Sequence, residues 1–311
     1  MRLLTLLGIA ASLGLAGPAV AMHFSGWATA QKIDEVAGNS SELNTPYQDG
    51  CPIQSPDGLS LFVASNRPGG KGGLDIWVAT RESTDASWGA PQDLPEPINS
   101  ASDDFCPTPV HGKGLFFVSR RIVPGVTCGL GDIYFSRFNK NHGWSEPTHF
   151  VCAPTGPNTA LDEQGPSFVE VEGNEYLYFS SSRAPAQGGF VPGEIYVSEG
   201  AAGGFGPGVP VGALNDATAN DIQPNVRKDG REVVFSSNRA GGQGDQDVWV
   251  SSRASTSDPW ATPVNLGPAV KTRASESRPS LSWDAEQLLF GRTPGPEGSS
   301  DVYVTTRAKQ G

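Results

Sequence analysis

Carboxylates recur in this chain at a spacing suited to acid–base work or cation binding. Asp49, Asp104, Glu163, Asp221 and Glu276 each stand three residues before a proline, at Pro52, Pro107, Pro166, Pro224 and Pro279. Two copies carry a second acid just ahead, Asp103 and Asp162, where the others have Gln48, Asn220 and Ser275. Two carboxylates sharing a space can divide proton donation and water activation between them. In sugar hydrolysis a separation of roughly 5–5.5 Å goes with retention and roughly 6.5–9.5 Å with inversion. Each copy also carries an arginine (Arg67, Arg121, Arg183, Arg239, Arg292) and then a further acid (Asp75, Asp132, Glu194, Asp247, Asp301). A guanidinium between two carboxylates can hydrogen-bond both, so these residues read as structural ion pairs joining three strands of one unit.

Function seldom needs all five copies of such a set, whereas packing of repeated units does. The places where copies disagree are the better guide to chemistry. These are Asp103 and Asp162, Gln223 and Arg278 (in place of the Cys or Gly before the proline), and Phe105 and Phe190, which could offer apolar contact. The candidate binding set is therefore Asp49, Asp103, Asp104, Phe105, Asp162, Glu163, Phe190, Asp221, Gln223, Glu276 and Arg278. For a catalytic role the candidates narrow to Asp103, Asp162 or Glu163, with Arg278 or Gln223 positioning substrate.

Other chemistries find less support. The four histidines, His23, His111, His142 and His149, are not expected beside these acids, which argues against a Ser-His-Asp triad or a His-held metal there. Nucleophile-elbow, zinc-protease and phosphate-cradling motifs do not occur. The loop Gly244-Asp245-Gln246-Asp247 offers oxygen ligands to calcium on a single acid pair, and no other cofactor is expected. Cys51, Cys106, Cys128 and Cys152 suit two disulfides. Of three connectivities, Cys51 with Cys106 and Cys128 with Cys152 is favoured, and a four-thiolate zinc site lacking any C-x-x-C pair is the alternative.

The aligned prolines are 55, 59, 58 and 55 residues apart. That period accommodates four strands with their loops, which is one propeller blade. Copies start near residues 47, 102, 161, 219 and 274. Apolar runs such as Leu61-Phe62-Val63 and Val233-Val234-Phe235 read as second strands, and Asp75-Ile76-Trp77-Val78 and its equivalents as third strands. Outer strands are expected near Trp88, Trp144, Phe205 and Trp260. The fifth copy stops at Arg307 without such an aromatic, and residues 26–33 supply one at Trp27. The expected fold is all-β: a single five-bladed β-propeller over 22–311 with four-stranded blades, its ring closed by an N-terminal outer strand in the last blade. Closure removes the exposed edges of an open array. Strand alternation puts the loops before the inner strands and after the second strands on one face, here called upper, together with all four cysteines.

The segments SPDGLSLFVASNRPGGKGGLDIWVATR and VVFSSNRAGGQGDQDVWVSSR resemble the WD-repeat-like propeller repeat of TolB-like periplasmic proteins. The resemblance runs from about Trp27 to Arg307, with departures at Ser119-Arg120-Arg121 and Gly291-Arg292. It implies a rigid scaffold in a family that includes partner-binding envelope proteins and sugar-active enzymes.

Residues 1–21 carry one positive charge, an apolar run and a small-residue site at Ala19-Val20-Ala21, and read as a secretory signal peptide. A periplasmic or secreted monomer with no later membrane span is expected. The formal charge of −11 disfavours nucleic acid and anionic lipid as partners. The function expected first is a non-catalytic scaffold that binds an envelope protein or glycan through its upper face. The second reading is a glycan-active hydrolase using two funnel carboxylates, and the third an architectural module held by calcium or disulfides.

Overall fold

In the computed structural model, residues 23–183 and 191–310 are described. The expected signal segment and Phe190 lie outside them. The inner strands are Asp49–Gln54, Asp104–Val110, Glu163–Val171, Asp221–Val226 and Ser275–Leu281. Second strands follow at Ser60–Ser65, Gly114–Ser119, Asn174–Ser181, Glu232–Ser237 and Gln287–Thr293. Third strands run Asp75–Thr80, Asp132–Asn139, Glu194–Ala201, Asp247–Ser252 and Asp301–Thr306. Short outer strands pair onto these at Gln92–Asp93, Thr148–His149, Val209–Pro210 and Val264–Asn265. The fifth outer strand is Gln31–Lys32, which pairs with Val304 and Tyr303 of the last blade and closes the ring. Five antiparallel blades form an all-β propeller, and the one helical segment among the described residues is a 3₁₀ turn at Ile33–Glu35.

In every blade an outer pair forms four residues beyond the aromatic, and in blades two and three the aromatic also pairs, within Gly143–Trp144 and Gly204–Phe205, as expected. Pro91, Pro147, Pro207 and Pro263 lie in or next to the intervening stretches and cannot donate to a ladder. Three of the aromatics serve as stacking platforms. Arg81 lies over Trp88 at 4.1 Å, Arg253 over Trp260 at 4.2 Å, and Arg307 over Trp27 at 4.4 Å. Trp27 thus does for the last blade what Trp88 does for the first.

The core lies between blades. Along one second strand, Leu61 and Val63 face the last blade, packing with Leu289 and Val302, while Phe62 turns to Leu115 and Phe117 of the second. Alternation of a two-sided buried strand therefore cements both neighbours at once.

Every inner strand is bulged at its proline. The preceding residue has positive φ in all five blades: Cys51 (47°), Cys106 (48°), Gly165 (56°), Gln223 (55°) and Arg278 (58°). The ladder register shifts across the same spot. These five positions line the central channel. The residue after the proline stitches neighbouring inner strands. Thr108 Oγ1 donates to Pro166 O and Ser280 Oγ to Pro52 O, while Ser167 Oγ accepts from Val226 N and Asn225 Oδ1 from Leu281 N. Between blades one and two that position is Ile53, and the Cys51–Cys106 disulfide joins the strands instead, with Cα atoms 4.8 Å apart. The bulges bring the two Cβ atoms together. Cys128–Cys152 forms as well, so all four sulfurs are taken and the four-thiolate zinc alternative is set aside.

A Cys51→Ser/Cys106→Ser double variant is expected to lose about 2–4 kcal/mol, because the unfolded chain regains the freedom of a long loop. Urea melts of the oxidised proteins check this. An unchanged midpoint would mean that apolar packing alone holds that seam.

Candidate functional site

The sequence suggests that the five acids three residues before the prolines (the ring acids Asp49, Asp104, Glu163, Asp221 and Glu276) circle the channel mouth, but each lies inside its blade with no solvent exposure. Asp49 accepts Arg67 Nη2 at 2.6 Å and, on its other oxygen, the Thr45 N–H and hydroxyl at 2.6 and 2.7 Å. Asp104 is held by Arg121 and Ser100, Glu163 by Arg183 and Thr159, Asp221 by Arg239 and the Asp216 N–H, and Glu276 by Arg292 and Thr272. The arginines reach on to loop carbonyls, Arg67 to Glu42 and Leu43, and Arg121 to Pro97 and Ile98. A buried charge is tolerable only when its lone pairs and protons are used this fully. Burial still pushes the Glu163, Asp221 and Glu276 carboxyls above their ordinary range, outweighing the hydrogen bonds and the arginine.

The third-strand acids are not arginine partners. Each arginine turns to the ring acid and a loop carbonyl and, in four blades, to a second-strand serine. The acids instead accept backbone N–H groups of the loop before them: Lys71 and Gly72 on Asp75, Cys128 on Asp132, Gln243 on Asp247, and Glu297 on Asp301. Glu194 takes the Tyr196 hydroxyl at 3.2 Å. In the last blade Arg292 occupies the ladder position of Ser65 and bonds Glu276 through Nε, which explains the departure at Gly291-Arg292.

An asparagine series went unnoticed in the sequence. Asn44, Asn99, Asn158 and Asn215 each accept a third-strand N–H (Val302, Ile76, Ile133, Ile195) and return their amide to a backbone carbonyl. The readable signal was an Asn five or six residues before each of four ring acids.

At the mouth a different cluster stands open. Arg120 bridges two blades, its Nη1 3.0 Å from Asp103 Oδ2 and its Nη2 3.2 Å from Asp162 Oδ2. The three side chains keep 39%, 28% and 25% exposure respectively. Asp103 Oδ1 accepts the Leu74 N–H at 2.9 Å, a pin between blades that Asn220 repeats with Gly193. Asp162 Oδ1 is buried and has no hydrogen-bond partner among the described residues. Arg120 fills the position of Asn66, Ser182 and Asn238. It was noticed as a departure from the repeat but not nominated for the site.

Phe105 is 3% exposed, packed against Ala64, Val118 and the disulfide and capped by Arg120 at 5.2 Å, so it offers no face to a ligand. Gln223 is buried, with Oε1 unpartnered. At this level the channel narrows to a cavity of about 30 Å³, room for a single water. His149 lies on the outer strand of blade two, packed against Asp132 at 2.9 Å and 3.7 Å from Cys128 Sγ. With that sulfur in a disulfide, only Asp132 and His149 could ligate a metal there. The acid pair expected for calcium is split, since Asp245 faces solvent while Asp247 is buried on the Gln243 N–H.

No protein-family model and no curated protein matches the chain. Solved structures share its fold. A thermostable family-43 glycoside hydrolase aligns at TM-score 0.54 and 14% identity, over 87% of this chain and 92% of that one. An alpha-L-arabinofuranosidase from Lactobacillus brevis aligns at 0.51 and 14%, over 85% and 93%. A putative TolB from Agrobacterium tumefaciens aligns at 0.47 and 12%, over 86% and 92%, too loosely to support the TolB-like repeat family. Likeness at such identities is likeness of fold. It corrects the first functional expectation all the same. Most of the structures compared are glycoside hydrolases, which runs against the non-catalytic binding scaffold expected first.

Proposed function

We propose that the protein is an exported glycoside hydrolase working at the upper mouth of its channel, with Asp103 and Asp162 as its acid/base pair. The observation that carries this reading is the Asp103–Arg120–Asp162 bridge: two partly exposed carboxylates on adjacent blades, held one guanidinium apart. The ring acids, Glu163 included, are out of solvent and fully engaged. A guanidinium-wide gap leaves room for water between the carboxylates, which suits inversion better than direct attack. Two disulfides support an oxidising compartment.

The chemistry follows from what happens when substrate displaces Arg120. The two carboxylates then face the glycosidic bond without their shared cation. Asp162, whose Oδ1 accepts no hydrogen bond among the described residues, is assigned the acid role. Asp103, oriented by the Leu74 N–H, is assigned to activate water. Asp162 protonates the glycosidic oxygen as water attacks the anomeric carbon from the opposite side.

The test is turnover of a panel of aryl glycosides and plant and bacterial polysaccharides, with the anomeric configuration of the first product followed by proton NMR. Hydrolysis with inversion is expected. No release from any substrate, or retention, would overturn the assignment.

A further inference from the structure

The channel-lining positions before the prolines are not equivalent. Two form the disulfide that floors the funnel, Gly165 lies under Gln223, and the fifth is Arg278. Arg278 donates its backbone N–H to Ser236 Oγ at 2.9 Å. Among the described residues its guanidinium has neither an ion pair nor a hydrogen bond. Each second-strand arginine has its acid, and each ring acid has its arginine, so no ring acid is left over to neutralise it. The side chain is half-buried and reaches onto the neighbouring inner strand of blade one. A Cβ at Gly50 would come within 2.7 Å of Arg278 Nη1. The other blades carry Phe105, Gln164, Ile222 and Ser277 at that position, so only blade one leaves a seat for the guanidinium.

An unpaired cation facing a closed floor is costly to the fold and is kept charged by its chemistry. Burial, and secondarily the charge of Arg120, lowers its pKa to about 10, still well above neutral pH. The cavity of about 30 Å³ that Arg278 lines admits no sugar ring, so a sugar would stay above it, at the upper mouth, with only its carboxylate reaching the guanidinium.

We infer that Arg278 receives the carboxylate of a uronic-acid residue, which makes acidic glycans the substrate class of the proposed hydrolase. This rests on the hydrolase reading for its catalytic part, but the recognition can be tested without turnover. A carboxylate takes two parallel hydrogen bonds from a guanidinium, a match that a neutral sugar or a methyl ester lacks. Arg120, ion-paired to both, offsets the charge of Asp103 and Asp162 that an incoming anion meets.

The experiment measures binding of D-glucuronate and D-galacturonate, their methyl esters, and sulfate by calorimetry. It uses the Asp103→Asn/Asp162→Asn protein, with and without Arg278→Gln. Glutamine is chosen because Gln223 already occupies the same backbone conformation in blade four. A uronate is expected to bind at least tenfold more tightly than its ester. Arg278→Gln should remove that preference, leave ester binding unchanged and not lower the melting temperature. Equal binding of acid and ester, or a preference that survives Arg278→Gln, would overturn the inference. Sulfate binding as tightly as uronate would also overturn it by showing a general anion site. Hydrolysis of neutral glycans without any uronate preference sinks this inference alone. Uronate preference with no turnover of any glycan sinks the hydrolase reading instead.

Discussion

Asp49→Ala is expected to lower folding stability by about 3–5 kcal/mol, the cost of leaving a buried guanidinium without its anion. Arg67 keeps 8% exposure, and Thr45 would lose the acceptor for both its N–H and its hydroxyl. Because Arg67 also ties down the Glu42 and Leu43 carbonyls, the whole loop entering the blade loosens with it. Asp75→Ala should cost less, about 1–3 kcal/mol, since it strands backbone donors that water can reach. Adding Arg67→Met to Asp49→Ala should recover part of the loss, because no buried charge then remains unpaired. Urea unfolding of the four proteins checks the order. A loss below about 1 kcal/mol for Asp49→Ala would show that the knot contributes little.

Asp162→Asn and Asp103→Asn are each expected to reduce kcat by about 10²–10⁴-fold on natural glycans, the usual worth of a positioned acid or base. The two losses should differ in kind. Asp162→Asn should be nearly silent on aryl glycosides whose leaving group needs no proton, whereas Asp103→Asn should remain slow on all substrates. Glu163→Gln gives the contrast, with stability falling while kcat per folded molecule stays near wild type. Equal effects of both asparagine variants on every leaving group would assign the proton-transfer roles elsewhere.

Much of the architecture could be read from the sequence because it is written five times. The proline period, the aromatic before each outer strand and the orphan Trp27 segment together specified the blade number and the closing strand. The orientation of the ring acids could not be read the same way. In a regular strand Asp49 and Cys51, two residues apart, would share a face. The bulge at Cys51 breaks that alternation, sending the acid into the blade and the cysteine to the axis. The asparagine pins sit in loops, where no periodicity marks them. Arg120 was masked by its neighbour, since the repeat is satisfied by Arg121, and only the comparison of Asn66, Ser182 and Asn238 at the same position singles it out. Phe105 looked available because it interrupts the repeat, yet its side chain fills the seam beside the disulfide.

The outer strand of the last blade has one more consequence, which concerns time. Gln31–Lys32 is among the first parts of the described chain to be made, and its partner Asp301–Thr306 is among the last. Until that partner emerges, the growing chain carries an unmated segment at one end and an advancing sheet edge at the other. Four blades can be complete while the ring is still open. The final step of folding is therefore a long-range meeting of two ends, and a nascent chain stalled before residue 301 has an edge available to a second copy of itself.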